Sequence, residues 1–300
     1  PEMPVIIGGI EASLRRFAHF DYWENKILPS ILVESNADLL IYGMGEKQIV
    51  EIADYLAGGA IIEDIHYVRG TAYLADDLQA LDEFIELPSL EDILKDREAF
   101  AKAYNLQSKE LDPFSGKIVV QKNGKKFVVQ NQVPFPLSQE EMDAIYDLDY
   151  VRTYHPSYEK YGGVPAIEEL QFSVISCRGC FGSCSFCAIH SHQGRIIQTR
   201  SHESIIREAK KITELPNFKG YIHDVGGPTA NFRHPSCAKQ LKVGVCRDRQ
   251  CLFPKPCPNL DTDHSDYIAL LQKVRALSGI KKVFVRSGIR YDYLLADKND

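Results

Sequence analysis

No cysteine occurs in the first 176 residues, and one tryptophan and three methionines serve the whole chain. The missing thiols exclude a disulfide framework for more than half of the protein, because stapled secreted domains are small and carry their bridges throughout. No apolar run approaches the roughly 20 residues that a membrane helix needs. Positive charge is also scarce. The 35 Lys and Arg stand against 41 Asp and Glu, a formal net charge of −6, which argues against a protein built to neutralise nucleic-acid phosphates. Arg15-Arg16 and the basic turn at residues 122–126 are too short to reverse that reading. Hydrophobic residues make up 44 % and charged residues 25 % of the 300, the balance of an ordinary globular protein of about two domains.

What is present is concentrated. All eight cysteines lie between Cys177 and Cys257, behind a long α/β-patterned region. That distribution points to thiolate-bound metal in a reduced, cytoplasmic compartment. The chain opens on "PEMPVIIGG" and stops at "YDYLLADKND", just beyond a strand. It reads as a piece of a longer protein, cut at both ends.

Periodicity gives three parts. Over residues 1–60, "PVIIGG" and "ADLLIYG" are β-branched or leucine-rich runs closed by glycine, the pattern of buried parallel strands. "EKQIVEIADYLAGG" places Ile49, Ile52, Ala53 and Leu56 at helical spacing. Strand and helix alternate as in half of a doubly wound parallel sheet. The segment between the two strands is expected to carry helical turns broken at Pro29, with the aromatics of "FDYWENKIL" packed in a core or at a domain interface. Residues 61–168 read as a connector. It contains a helix capped by Ser89 and a hairpin, "KIVVQKNGKKFVVQ", turning on Asn123-Gly124 in the type I′ manner. Over residues 169–300 the pattern returns as strand, helix, strand, helix, strand: "LQFSVIS", "HESIIREAKKITEL" behind Ser201, "GYIHDVGG", "DHSDYIALLQKVRALSG" and "KKVFVRSG". This is the N-terminal half of a (β/α) barrel, interrupted at about residues 228–261 by a cysteine-rich insertion.

Cys177, Cys180, Cys184 and Cys187 leave gaps of two, three and two residues. Thiolates are soft ligands that select iron–sulfur clusters, zinc or copper(I). Read as two C-x2-C pairs, the four could hold zinc, but the usual spacer between such pairs is about 12 residues or more, and here it is three. Cys180-x3-Cys184-x2-Cys187 instead offers three ligands from one loop at a strand's C-terminal end, where parallel α/β folds place active sites. A [4Fe-4S] cluster ordinarily takes four cysteines, so three leave one iron open to a ligand. Cys177 is left over, as a thiol at the strand end. His190, His192, His223 and Asp224 fall near this loop or the second strand's end and read as hydrogen-bonded loop residues. Arg195 and Arg200 read as charges that screen an acidic ligand or lie in water. A second set, Cys237, Cys246, Cys251 and Cys257, would cross-link the insertion through zinc or an auxiliary iron–sulfur cluster, or stand as free or redox-active thiols.

The Cys-x3-Cys-x-aromatic-Cys spacing, with Phe186 as the aromatic, resembles the signature of radical S-adenosylmethionine (SAM) enzymes. That resemblance implies a [4Fe-4S] cluster on Cys180, Cys184 and Cys187, shielded on one side by Phe186 as a cofactor-site residue, with SAM chelated at the open iron. It also implies SAM contacts from the Gly226-Gly227 turn and from Ser287 and Arg290 at the third strand's end, and a reduced flavodoxin or ferredoxin as electron donor. Pro228 stands where the superfamily has a glutamate, so only the backbone part of the turn carries over. Over almost the whole chain, "VIIGGIEASLRRFAHFDYW", "ADLLIYGMGEKQIVEIA", "RGTAY", "SCRGCFGSCSFCAIHSHQGR", "DVGGPTANF", "CPNLDTDHS" and "SGIRYD" resemble the YgiQ family of that superfamily. The N-terminal part is also similar to the second half of a cobalamin-binding domain, whose cobalt-ligating loop would precede residue 1. The implied activity is reductive cleavage of SAM to a 5′-deoxyadenosyl radical acting on an unspecified substrate. The rival readings are a zinc–thiolate scaffold without catalysis, and a radical SAM methyl- or methylthio-type transferase acting on nucleic acid.

Overall fold

The computed structural model describes residues 3–298, and the chain divides into two units. Pro1, Glu2, Asn299 and Asp300, the ends on which the truncation reading partly rests, lie outside the described residues. The first unit comprises Pro1–Phe135, Cys184–Arg195 and Val243–Asp248; the second comprises Pro136–Ser183, Ile196–Lys242 and Arg249–Asp300.

The first unit is built on a six-stranded sheet. β1 (Ile6–Ile7) pairs in parallel with β4 (Leu39–Ile41), and β4 pairs antiparallel with β5 (Thr71–Ala75). β5 then pairs with β8 (Lys126–Gln130) and β8 with β7 (Ile118–Asn123), both antiparallel; β7 pairs in parallel with β6 (Phe84–Leu87) at the edge. The doubly wound parallel sheet expected from the glycine-closed strands is thus replaced by a mixed one. Four of its six strands come from the stretch between residues 71 and 130 that reads as connector. A buried apolar run looks alike in either strand direction, so the sequence pattern carried no sign of the antiparallel members.

Turn chemistry is more legible. Asn123 pairs with Lys126, which leaves Gly124 and Lys125 as the two-residue loop. Gly124 has φ +64° while Lys125 is not among the positive-φ residues. That is the type II′ pattern with glycine first, rather than the expected type I′. The helix behind Ser89 divides in two. α4 (Leu90–Lys95) starts from a Ser89–Asp92 capping box, and Asp96 then turns extended. Its carboxylate caps α5 (Arg97–Lys109) by accepting from the Glu98 N–H at 2.9 Å.

Between α1 (Gly9–Leu14) and α2 (Ile31–Ser35) the chain forms a hairpin, β2 (His19–Asp21) and β3 (Lys26–Leu28), instead of helical turns. Tyr22 and Trp23 sit at its tip, edge to face and 80 % and 87 % exposed; of the two expected placements, the core is ruled out for this pair. α3 (Glu46–Ala57) buries Ile52 among Leu39, Ile41, Ile62, Ile65 and Val68, while Ile49 lies outside. Its buried stripe is narrower than the spacing suggested.

The second unit begins with α6 (Gln139–Tyr146) and α7 (Ile167–Leu170). β9 (Ser173–Ile175) leads into β10 (Cys177–Arg178), and the short helix α8 (Ile189–Gln193) of the first unit follows in the chain. β11 (Gln198–Thr199) returns antiparallel to β10. α9 (His202–Thr213) starts where expected, Ser201 Oγ accepting from the Ser204 N–H at 3.0 Å. The second strand is split at His223 into β12 (Tyr221–Ile222) and β13 (Asp224–Gly226), and the third is β14 (Lys282–Val283). β9 pairs in parallel with β13, and β12 in parallel with β14. α10 (Gln240–Val243) lies in the insertion, α11 (Ser265–Arg275) precedes β14, and α12 (Tyr291–Leu294) follows it. The strand–helix alternation is therefore present. Among the described residues three parallel strands pair two by two and no barrel closes; closure by this route takes about eight strands.

A core of Val174, Ile205, Ala209, Ile212, Ile222, Val225, Leu270 and Val274 joins α9 and α11 to the strands. Buried Tyr267 adds to it, its hydroxyl donating to the Val225 carbonyl at 3.0 Å. No helix among the described residues is long and apolar enough to cross a membrane.

Candidate radical SAM site

In the second unit, the C-terminal ends of β9, β13 and β14 carry the residues singled out from the sequence. The β9 end is held by two buried arginines. Arg200 donates from Nη1 to the Ile175 carbonyl at 3.0 Å and from Nη2 to Ser204 Oγ at 2.8 Å. Arg233 donates to the Ser176 carbonyl at 2.7 Å and the Arg200 carbonyl at 3.1 Å, and pairs with Asp266 at 2.9 Å. Glu208 forms ion pairs with Arg200 and with Arg152. Arg200, expected to screen a ligand or lie in water, is instead fully buried beneath the strand end. Arg233 had no sequence signal beyond an arginine inside a polar insertion. A charge-assisted hydrogen bond contributes about 1.5–3 kcal/mol, so the pair fixes the point from which the thiol loop departs.

Cys177 follows at once and is wholly buried among Phe181, Ile197, Phe232, Leu252 and Tyr293. Burial pushes its thiol up from the ordinary 9.0 to about 11, the nearby Arg233 opposing. It is a neutral thiol at physiological pH, which suits the left-over cysteine of the spacing argument. Because its folded pKa lies above its unfolded one, its contribution to stability is complete below about pH 9 and is lost as pH rises through about 11. In the folded protein Cys177 is therefore expected to resist iodoacetamide at pH 8. Peptide mass spectrometry checks this, and rapid labelling of Cys177 before unfolding would contradict its burial.

The glycine turn meets this thiol. A Cβ at Gly227 would lie 2.5 Å from Cys177 Sγ and 2.6 Å from its carbonyl oxygen, and one at Gly226 would overlap Ser287 Oγ. The Gly226 carbonyl accepts from the Ser176 N–H at 2.7 Å. Asp224 accepts from the Arg286 N–H at 2.8 Å. Arg290 reaches the loop itself. A Cβ at Gly182 would overlap its guanidinium and lie 3.3 Å from Cys180 Sγ. The Arg290 guanidinium is held by Asp292 at 2.9 Å, and the Arg290 backbone N–H donates to Asn231 Oδ1 at 3.0 Å. Cys180, Gly226, Gly227, Ser287 and Arg290 therefore share one end of this unit. His223 stacks edge to face on Phe172, 5.4 Å between centroids, as a packed loop residue.

Cys184 and Cys187 are counted with the first unit. The Cys187 N–H donates to the Cys184 carbonyl at 3.0 Å, a tight turn between the two thiols. α8 follows. His190 is hydrogen-bonded to the Cys187 backbone, and burial lowers its pKa below 6.5. His192 Nδ1 lies 3.0 Å from Ser13 Oγ, the same hydroxyl that accepts from the Gly43 N–H at 2.9 Å. Arg195 donates to the Cys246 carbonyl at 3.0 Å. Phe186 is 90 % exposed and packs little of its ring.

The donor set fits an iron–sulfur cluster chemically: three soft thiols lie within eight residues, Gly179, Gly182 and the left-handed Ser183 (φ +48°) bending the loop that carries them. Among the described residues no three His, Cys, Asp or Glu side chains are gathered as ligands around a common point, at either cysteine set. In the second set, Cys251 Sγ lies 3.2 Å from Ser236 Oγ and the Cys257 N–H donates to the Cys251 carbonyl at 2.8 Å. Cys246 belongs to the first unit, and Cys237, Cys251 and Cys257 to the second.

One unit with a mixed sheet and one with paired parallel strands define an α/β protein. The family described as Radical SAM N-terminal matches residues 1–173, and the chain belongs to it. Relatives extend the likeness through the cysteines. The UPF0313 protein of Clostridium botulinum (strain ATCC 19397 / Type A) is 57 % identical over 299 residues, covering all of this chain and 46 % of its own length. The UPF0313 protein of Clostridium perfringens (strain SM101 / Type A) is 55 % identical over 300 residues, 45 % of its length. These are YgiQ-type proteins, as the motifs implied, and the chain spans about half the length of the curated relatives it matches.

Proposed function

We propose that the protein is a radical SAM enzyme whose cluster ligands are Cys180, Cys184 and Cys187. The observation that carries the reading is the convergence at one end of three parallel strands. The thiol loop leaves β9, the bare Gly226-Gly227 backbone ends β13, and Ser287 and Arg290 follow β14. When bound there, a reduced [4Fe-4S] cluster supplies one electron for cleavage of SAM to methionine and a 5′-deoxyadenosyl radical. The chain's own residues then bind and orient. The Gly227 carbonyl accepts from the SAM ammonium, and a side chain there is excluded by Cys177. Arg290, oriented by Asp292 and Asn231, supplies a fixed positive charge for the SAM carboxylate. Ser287 offers a hydroxyl to the ribose. Holding these groups before the reaction is where a protein lowers the barrier, while the cofactor carries the chemistry. The second cysteine set is proposed to hold zinc or an auxiliary cluster that stiffens the insertion, with a reduced flavodoxin or ferredoxin as donor. Cytoplasmic residence is proposed from the confinement of all eight cysteines to the stretch between Cys177 and Cys257.

The test is an anaerobic assay of the full-length protein with SAM and a low-potential reductant, following 5′-deoxyadenosine and methionine together. Equimolar formation of the two is expected, and its absence from protein shown to contain iron and sulfide would contradict the reading.

A further inference from the structure

The first unit contains a cavity of about 180 Å³, near the size of engineered apolar cavities that bind benzene. Its wall is mostly apolar, with Leu14, Phe17, Leu87, Phe100 and Ala103 contributing, and no acidic side chain lines it. Arg16 also lines it and is only 1 % exposed. The partners of that guanidinium are neutral. Nε donates to Gln130 Oε1 at 2.6 Å, Nη1 donates to the Ser13 carbonyl, and the Tyr42 ring lies 4.7 Å away. Nη2 is buried without a hydrogen-bond partner among the described residues, and no carboxylate there pairs with the side chain. Burial lowers the Arg16 pKa only to about 10, so the charge persists at neutral pH.

Leaving a buried cation without a counter-charge is strongly destabilising, and a bound anion would supply the one missing here. His19 shares the wall: its Nδ1 lies 3.1 Å from the Phe17 carbonyl and its Nε2 is buried without a partner. A carbonyl can only accept, so Nδ1 holds the proton and Nε2 of the neutral ring is an acceptor. The cavity therefore offers one cationic donor, one neutral acceptor and a benzene-sized apolar space.

We propose that this cavity binds a small monocarboxylate with a compact apolar body, its carboxylate on the Arg16 guanidinium and its body among Phe17, Leu87 and Phe100. The site needs no cluster, although Phe186 and Cys187 also border it, so a bound acid would lie against the proposed cluster loop. It stands or falls separately from the radical SAM reading.

The test is titration calorimetry of the full-length protein with benzoate, benzyl alcohol and inorganic phosphate. Benzoate is expected to bind at least about 10-fold tighter than benzyl alcohol, the factor one charge-assisted hydrogen bond supplies. Arg16→Met should erase that difference. Ala103→Leu, which fills the cavity and leaves the charge, should weaken benzoate by a similar factor. Equal binding of benzoate and benzyl alcohol to the wild type, binding of phosphate alone, or benzoate affinity unchanged by Ala103→Leu would each overturn the proposal. Should Arg16→Met fail to fold, the wild-type ratio and Ala103→Leu decide the matter.

Discussion

Cys184→Ala is expected to lower SAM cleavage by the full-length protein at least about a thousandfold, about 4 kcal/mol in barrier terms, and to leave the fold intact. Cys184 is the middle of three thiols supplied by one loop. With it gone, two soft ligands remain, and a four-iron cluster held by two cysteines is not expected to persist. The fold should survive because Cys184 is neither buried nor part of a core, unlike Cys177. Iron and sulfide content, 5′-deoxyadenosine production and circular dichroism measured on one sample separate these effects. A variant that retained its iron and its activity would remove Cys184 from the site, and one that lost its fold would make it structural.

Gly179→Ala is expected to cost roughly 2–5 kcal/mol of stability. Gly179 has φ +85°, where an L side chain costs about 1–2 kcal/mol. The added Cβ would also overlap the Ile196 carbonyl oxygen. That oxygen belongs to the backbone just ahead of β11, so no rotamer change relieves the clash, and overpacking adds about 1–3 kcal/mol. Gly162→Ala is the control. Gly162 has φ +86° with nothing within 4 Å of a built Cβ, so only the backbone penalty of about 1–2 kcal/mol applies. Urea denaturation of both variants reads the difference. Equal losses would show that the loop yields at Ile196 and that Gly179 is needed for its φ alone.

The candidate site was far more legible in the sequence than the sheet that precedes it. Thiol spacing, Gly226-Gly227 and the Ser287–Arg290 stretch stand out in the sequence, and three parallel strands bring Cys180, Gly226 and Arg290 to one end. Local caps were equally open to reading, because Ser89 and Ser201 act within a single turn of chain. Strand direction was not. Thr71–Ala75 and Phe84–Leu87 are short runs without alternation, and only their partners decide whether they run parallel. Charges misled for a related reason. Arg16, Arg200 and Arg233 look like surface residues in sequence, yet each is buried by partners far along the chain, Gln130, Ile175 and Asp266 among them. For Tyr22 and Trp23 the core alternative fails, since a hairpin tip places aromatic side chains outside any core.

Electron paramagnetic resonance of the anaerobically reconstituted, dithionite-reduced full-length protein, recorded with and without SAM, tests the central claim most directly. A reduced-cluster signal whose shape changes when SAM is added, and which is missing from Cys184→Ala, is the predicted result, because only an iron open to a ligand responds to SAM. A silent sample that contains zinc and no sulfide, and is unaltered by Cys184→Ala, would contradict the account and leave the cysteines as a structural metal–thiolate module.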